Sequence, residues 1–231
     1  LRKKYVNLIN NDEKGEYSHI DIDKIPLEPQ YDILKFIVDY SNLSAWKKDV
    51  ITIVREQAQY FIPQIQTKIM NEGWASFWHY RLMHKLELPQ TYHIPFIKSH
   101  NQVIRPHIGG LNPYHLGFEM FKRIEERFGI EECFLARESA HDVSFLRQYL
   151  TEEDAQDLGL FSYARKRDDY KITDIADEGG WKKVKQDLLT NIGTNPIPVI
   201  RVNEVTDENI LILEHDHDGR DLDLEYAEEV V

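Results

Sequence analysis

The chain has 231 residues, of which 42% are hydrophobic and 11% aromatic, and its formal net charge is −12 at pH 7. This length and apolar content predict a folded protein with a substantial core, and they exclude a disordered segment. The negative charge argues against a general nucleic-acid binder, since such proteins carry basic patches that neutralise phosphates. No apolar run approaches the roughly 20 residues that a membrane-spanning helix requires, so we expect no membrane span.

The cysteine content and the two ends of the chain bear on its setting. Cys133 is the single cysteine and has no partner for an internal disulfide, which fits a reducing, cytoplasmic compartment. The chain starts at Leu1, without a signal peptide, and residues 228–231 have the composition of an unfinished helix. We therefore expect the chain to be part of a longer protein.

The first half of the chain has the spacing of apolar residues that is typical of helices. Residues 1–26 are polar and carry turn signals, so an irregular segment is expected there. Apolar spacing predicts a helix over residues 29–40, and Ser44 is a suitable N-cap for a second helix that runs to about Tyr60. Pro63 is expected to kink or restart that helix. Shorter helices are predicted over residues 92–100 and 141–150, with a loop at 108–110.

The next predicted helix carries a carboxylate and an imidazole within an aromatic segment and ends near Leu88. Glu72 and His79 are seven residues apart, close to two helical turns, so both lie on one face. Trp74 and Trp78 on the neighbouring faces predict that this helix is buried. The pair suits a metal site or acid–base chemistry. The alternative is a buried polar pair that neighbouring helices satisfy.

A second informative segment begins at Asn112, a strong N-cap for a helix that Gly129 is expected to end. His115 and Glu119 are four residues apart on one face near its N-terminus. The positive end of the helix dipole disfavours a protonated His115 and so favours the neutral imidazole that a metal ligand or general base needs. His107, in the preceding loop, is a candidate to complete a site with His115. The alternative is an ordinary helix N-terminus with solvated polar groups.

The pattern changes from helical spacing toward strands after about residue 156. We therefore predict an α+β fold, with a mainly helical N-terminal domain over residues 1–155 packed with a small C-terminal α+β module over residues 156–231. The predicted elements of the module are strands over residues 160–164, 170–175, 197–202 and 210–213, and a helix over residues 181–191.

An acidic segment from Glu214 to Glu225 has the spacing of a calcium-binding loop, with a glycine at the sixth position. The first position is Glu rather than Asp, and the preceding residues have the pattern of a strand where a calcium loop needs a helix. We favour a hairpin with an acidic turn at Asp218-Gly219, which leads into a strand with alternating Leu222 and Leu224.

Two of these segments resemble the SpoVR family, the stage V sporulation protein R group. The resemblance rests on residues 67–79, TKIMNEGWASFWH, and on residues 112–117, NPYHLG. Residues 145–151 and 221–226 look like the following blocks of that family, in the expected order. The resemblance implies the C-terminal half of a longer cytoplasmic protein linked to assembly of the spore cortex. The implied partner is the missing N-terminal half of the same protein.

The Glu-Gly-Trp-Ala segment is also similar to one in some zinc peptidases, where two histidines of another helix and this glutamate hold the metal. By that analogy Glu72 is the third ligand of a divalent metal such as zinc, in a site that is incomplete in this chain. His79 is then a ligand or a supporting group and His115 an acid–base candidate. This interpretation predicts a metal-dependent hydrolase acting on peptide or cell-wall precursor bonds. The competing hypothesis is a non-enzymatic assembly or regulatory factor that binds a protein partner.

Overall fold

The computed structural model describes residues 30–107, 110–166, 169–206, 208 and 210–230. It divides into two compact units, one formed by residues 1–60 with 197–231 and the other by residues 61–196. Helices dominate, and two small antiparallel sheets of two strands each accompany them, so the predicted α+β class is confirmed. The predicted domain boundary at residues 155 and 156 stays a prediction.

The helices and strands follow one another along the described residues with short connections. The elements, in chain order, are α1 (Ile33–Tyr40), α2 (Ala45–Gln66), α3 (Lys68–Lys85), α4 (Gln90–Val103), α5 (Pro113–Phe128), α6 (Ile130–Ser139), α7 (Asp142–Tyr149), α8 (Glu152–Asp157), β1 (Phe161–Lys166), β2 (Asp169–Ile175), α9 (Trp181–Thr190), β3 (Ile200–Val205), β4 (Leu211–His215) and α10 (Leu224–Val230). None of the helices within the described ranges is long and apolar enough to cross a membrane.

The unit of residues 61–196 has a core built mainly by α3 and α5. Apolar residues of α5 recur at helical spacing, and the side chains they place on one face are fully buried. Residues of α6 and α7 close this core from the sides. Its most deeply buried side chains are those of Met70, Leu116, Met120, Phe121, Ile124, Cys133, Phe145, Leu146 and Leu150.

The same unit contains the first sheet and α9. Strands β1 and β2 pair antiparallel, with Phe161 opposite Ile175 and a register shift after Ser162. Trp181 and Val184 of α9 lie with Ala155 and Ala176 in a small second apolar cluster. This cluster covers the end of the hairpin formed by β1 and β2, the two strands predicted over residues 160–164 and 170–175.

The other unit joins an early and a late part of the chain. Strands β3 and β4 pair antiparallel, and Gln30 forms a bridge to Val202 at the edge of this sheet. The side chain of Asp32 accepts a hydrogen bond from the backbone N–H of Lys35 and so caps α1. Phe36 is the buried residue of α1. This unit brings together residues more than 150 positions apart.

Several local predictions need correction or lie outside the described residues. The strand predicted through Leu222 and Leu224 is wrong, because Leu224 begins helix α10. The helix predicted to run to about Tyr60 is longer, since α2 continues through Pro63 to Gln66. The helix α6 was not predicted. Residues 1–26 and the first two residues of the 108–110 loop lie outside the described residues.

Candidate functional site

The helices α3 and α5 touch backbone to backbone where Gly73 meets Gly117. A Cβ atom placed on Gly73 would lie 2.3 Å from the carbonyl carbon and the Cα of Gly117. A Cβ on Gly117 would lie 2.2 Å from the backbone oxygen of Ile69. Only residues without a side chain permit this approach. The crossing therefore joins the two segments that stand out in the sequence, residues 67–79 and 112–117.

The start of α3 is held by a residue from a distant part of the chain. Both carboxylate oxygens of Asp142, at the start of α7, accept backbone N–H groups of α3, from Ile69 and Met70, at 2.9 Å each. Asp142 is 1% exposed, and its burial raises the pKa of the carboxyl, although the hydrogen bonds oppose this effect. Asp142 thus caps α3 from outside the helix.

The start of α5 is held by Asn112, as the sequence predicted. Its side-chain oxygen accepts the backbone N–H of Tyr114, and its amide nitrogen donates to the backbone oxygens of Val103 and Arg105. Asn112 is buried, so these three bonds satisfy its amide group inside the protein. They also connect the end of α4 to the turn that carries Tyr114 and His115.

Glu72 lies next to the crossing and is half-buried, where the sequence had indicated a buried carboxylate. Its carboxylate accepts a hydrogen bond from the hydroxyl of Tyr114 on α5. This hydrogen bond, together with burial and the charge of Glu72, raises the pKa of Tyr114. Tyr114 was not among the predicted site residues, although it lies inside the second signature segment. The pair leaves oxygen lone pairs of Glu72 for a further ligand.

His115 is half-buried in the first turns of α5, and it is the neighbour of Tyr114 in sequence. Its Nδ1 atom is shielded from solvent and has no hydrogen-bond partner among the described residues. Burial lowers the pKa of His115, and the charge of Arg123 adds to this, while Glu119 and the backbone of Ile104 act in the opposite direction. This direction agrees with the neutral imidazole that the sequence predicts, with burial as the main cause. The role of His115 in a site stays a prediction.

Glu119 belongs to an ion-pair group on the same helix. Its carboxylate lies 4.0 Å from the Nε atom of Arg123. The Nη1 atom of the same arginine donates a hydrogen bond to Asp154 at 2.9 Å. Arg127 donates two further hydrogen bonds to Asp154, whose side chain is fully buried. Burial of Asp154 opposes its ionisation, but the hydrogen bonds of Arg127 and Thr151 outweigh it and lower the pKa to about 2. This group fastens α8 to α5.

His79 is on the same helix as Glu72 but has different neighbours. Its ring meets Phe96 of α4 edge-on, with 5.3 Å between centroids, and lies 6.5 Å from the ring of His100. Glu72 instead faces Tyr114 of α5. Seven residues advance about 10 Å along a helix, which explains how one face of α3 contacts two different helices.

Trp74 and Trp78 belong to an aromatic cluster between α3, α5 and α6. The ring of Trp74 lies 5.2 Å from both Phe121 and Phe134 in edge-to-face geometry. Trp78 lies 5.5 Å from Trp74, and the guanidinium of Arg81 sits over its ring at 5.6 Å. Both tryptophans are half-buried, and their contacts are those of packing residues.

His107 is exposed in the segment between α4 and α5. The residues that act on the imidazole of His115 are Glu119, Ile104 and Arg123, and His107 is not one of them. Within the part of the chain that the structure describes, no group of three or more His, Cys, Asp or Glu side chains is arranged to hold a metal ion. Glu72 by itself offers one carboxylate ligand. In the zinc-peptidase analogy this glutamate is also a single ligand, and two histidines of another helix supply the others.

The residues that sequence reasoning missed are those whose role depends on a distant partner. Asp142 follows His141 in a segment where Ser144 makes the local cap, so its bonds to α3 have no local signal. His100 is buried between α3, α4 and α5. The one sequence feature that pointed to Tyr114 is its position within residues 112–117, one of the two segments that resemble the SpoVR family.

Comparison with known proteins places the chain in a family. The model of the SpoVR-like protein family matches residues 2–196. The chain is 32% identical to a protein of Escherichia coli (strain K12) described as the uncharacterized protein YcgB, over 74% of this chain. The match spans only 41% of the length of that relative. No solved structure matches the chain. The family match covers most of the sequence and both signature segments, so the chain belongs to the SpoVR-like family.

Proposed function

We propose that this chain is the part of a SpoVR-like protein that supplies Glu72 to a metal-dependent hydrolytic centre. In this proposal the remaining metal ligands come from the rest of the longer protein, which acts in the cytoplasm in assembly of the spore cortex. The bonds it hydrolyses are those of peptides or cell-wall precursors. The family membership supports the setting, and the surroundings of Glu72 support the chemistry.

The observation that carries the proposal concerns the polar residues left over once packing is accounted for. Gly73 and Gly117 make the helix crossing, the tryptophans fill the aromatic cluster, and Asn112 caps α5. The carboxylate of Glu72 makes one hydrogen bond across this crossing, with Tyr114, and it keeps further acceptor capacity for a cation. A half-buried carboxylate beside a tight helix crossing is costly unless it is hydrogen-bonded or binds a cation.

The side chains of this chain have distinct roles in the proposed centre. Tyr114 donates its hydroxyl to Glu72, which restrains the carboxylate and leaves its remaining lone pairs available to a metal. His115, kept neutral by burial, is the proposed acid–base group, and its unpartnered Nδ1 is able to accept a proton. A zinc ion bound by Glu72 would supply Lewis acidity toward a carbonyl oxygen. The packing of His79 against Phe96 favours a supporting role over a ligand role.

The test is the metal content of the purified full-length protein and of its Glu72→Gln variant. We expect the wild type to carry a divalent metal and the variant to lose it. The chain offers a matched control in Glu132, a half-buried glutamate that accepts the hydroxyl of Tyr149 at 2.6 Å. Glu132→Gln removes the charge from a second tyrosine–glutamate pair and should leave the metal in place. Equal metal content in wild type and Glu72→Gln would contradict the proposal.

A second candidate function is a non-enzymatic assembly or regulatory factor, and a different observation favours it. None of the 22 residues of α2, all of them described, is buried. Trp46, Val50, Ile53 and Val54 lie on one face of α2 and are each at least half exposed. Exposed apolar faces of this size mark binding surfaces for other proteins.

Complementation in a sporulating strain separates the two functions. A metal-dependent hydrolase loses activity in vivo with Glu72→Gln and keeps it with Ile53→Lys on the exposed face. A binding factor shows the reverse pattern. Both variants should be checked for expression level and thermal stability, so that a loss of fold is not scored as a loss of function.

A further inference from the structure

The contact between α3 and α4 is built from histidines that surround one phenylalanine. The ring centroid of Phe96 lies 5.3 Å from that of His79 and 5.7 Å from that of His84, both on α3. On its own helix Phe96 has His93 at 6.4 Å and His100 at 5.9 Å. Four imidazoles therefore lie close to one apolar ring, and His84 and His93 are 5.4 Å apart across the two helices.

His100 is the buried member of this histidine cluster. It is 4% exposed, and its Nε2 atom has no hydrogen-bond partner within the described ranges. The rings of Tyr80 on α3 and Phe118 on α5 each lie 5.0 Å from its own ring. A protonated imidazole in this position would bury a charged N–H group without an acceptor, so the packed state requires the neutral form.

The groups that face His100 increase the cost of its protonation. Burial lowers the pKa of His100, and the nearby imidazoles of His79 and His84 lower it further. From α5 the group in contact is Phe118, which carries no charge. Each further proton added to the cluster repels the others, because the contacts between the rings are shorter than 7 Å.

We propose that the histidine cluster makes the α3–α4 contact a pH-sensitive joint, in which neutral imidazoles hold α4 in place and mild acid releases it. The fully folded arrangement is present above the ordinary histidine pKa of about 6.5, since the released and the packed states are then both neutral. As the pH falls below that value, the released state takes up protons that the packed state excludes. The packing of α4 therefore weakens until the packed state itself is protonated.

Release of α4 has a consequence for the start of α5. Val103, the last residue of α4, accepts a hydrogen bond of 2.9 Å from Asn112, and Arg105 accepts one of 2.7 Å. The same Asn112 caps the turn that carries Tyr114 and His115. A displaced α4 loosens this cap, so the joint couples acidity to the position of Tyr114, the hydrogen-bond partner of Glu72.

The test is amide hydrogen exchange of residues 90–103 in the full-length protein at pH 7.5 and at pH 5.5, corrected for the intrinsic effect of pH. We expect exchange to accelerate by up to about tenfold at pH 5.5, because this pH lies one unit below the ordinary histidine pKa of about 6.5 at which the released state takes up a proton on His100. His100→Phe keeps a ring of similar size but does not titrate, and it should remove most of this acceleration.

Two further variants keep the proposal testable if His100→Phe folds poorly. His79→Gln removes one neighbouring imidazole and should reduce the acceleration without abolishing it. His215→Gln disrupts an imidazole pair with His217, whose ring lies 5.6 Å away, in the unit that does not contain α4. This variant should leave the acceleration unchanged. Equal protection of residues 90–103 at the two pH values in wild type would overturn the proposal. So would an acceleration that persists in full in both His100→Phe and His79→Gln.

Discussion

Helices α5 and α2 have similar apolar content in their sequences but opposite surroundings. In α5 the apolar face is completely covered, with Ile124 1% exposed and Phe121 fully buried. In α2 the apolar face is open, with Trp46 64% exposed and Ile53 59% exposed. A 22-residue amphipathic helix without one buried residue is unusual, since burial of an apolar face is what stabilises most helices.

The difference teaches what makes an apolar helix face part of a core. α5 contacts α3 closely because Gly73 and Gly117 remove the side chains at the crossing. Its N-terminus is fastened by Asn112 and its C-terminal half by ion pairs with Asp154. The spacing of apolar residues predicts that both helices have an apolar face. Small residues and caps at defined points decide which face is covered.

The largest expected effect is at the crossing, for Gly73→Ala. If Gly73 were only a helical residue, alanine would stabilise α3 by about 1 kcal/mol. A Cβ atom 2.3 Å from the backbone of Gly117 instead forces the helices apart. We expect a loss of more than about 3 kcal/mol in the free energy of unfolding, measured by urea denaturation.

Gly110→Ala is the control for this change, because a Cβ atom there meets no atom within 4 Å. Its effect should stay within about 0.5 kcal/mol. A stabilised Gly73→Ala protein would show that α3 and α5 are farther apart than described. The comparison between the covered and the open helix would then lose its physical basis.

The next effect in size is at the start of α3, for Asp142→Ala. This change leaves the backbone N–H groups of Ile69 and Met70 buried without an acceptor. We expect a loss of between about 2 and 3 kcal/mol. Asp32→Ala removes the more exposed cap of α1 and should cost only about 1 kcal/mol. Equal effects of the two changes in urea denaturation would argue against a buried cap.

Acid should weaken the attachment of α8 to α5 by a comparable amount. The pKa of Asp154 is lowered to about 2, below the value of about 3.9 in an unfolded chain. Its stabilising effect is complete above pH 4 and is lost as the pH falls toward 2, a change of about 2 kcal/mol. The free energies of unfolding of wild type and Asp154→Asn should differ by this amount at pH 5. At pH 2.5 the difference between them should be much smaller.

The exposed Asp218 is the control for this pH dependence. Its hydrogen bond to Arg220 lowers its pKa to about 2 as well, but solvent screens the pair. Asp218→Asn should therefore leave the acid profile almost unchanged. An equal loss of acid sensitivity in both variants would show that burial of Asp154 has no special role.

The smallest effect is expected on the open face of α2, for Ile53→Lys. The side chain is 59% exposed, so the free energy of unfolding should change by less than about 0.5 kcal/mol. The matched change in α5, Ile124→Lys, places an amine in the core and should prevent stable folding. A strongly destabilised Ile53→Lys in the full-length protein would show that another part of that protein covers this face.

Sequence patterns were sufficient for most helices and for the caps whose partners are local. Asn112 precedes its helix directly, and its side chain accepts a backbone N–H two residues on. Helix α6 was missed because its apolar residues lack a clear helical stripe, and only Cys133 and Ala136 are buried. The chain bends at Asp218-Gly219, but the predicted hairpin is wrong, because residues 224–230 form a helix instead of a second strand.

The candidate site was predictable in its residue types and not in its pairings. Glu72 and His79 were expected to act together because they share a helix face, yet Tyr114 binds one and Phe96 contacts the other. A helix face is long enough to contact two neighbouring helices. The spacing of residues in the sequence does not indicate which neighbour each residue of that face contacts. The role of Glu72 in binding a metal stays a prediction.

The sequence by itself determined the family, the α+β class, the amphipathic helices and the local caps, because these depend on residues close together in the chain. The tertiary structure alone decided that Gly73 meets Gly117, that Asp142 caps α3 and that His100 is buried among other imidazoles. Each of these contacts joins residues 21 or more positions apart, where no short-range pattern records the partner. Their energies come from close packing and from desolvation, which exist only once the helices have met.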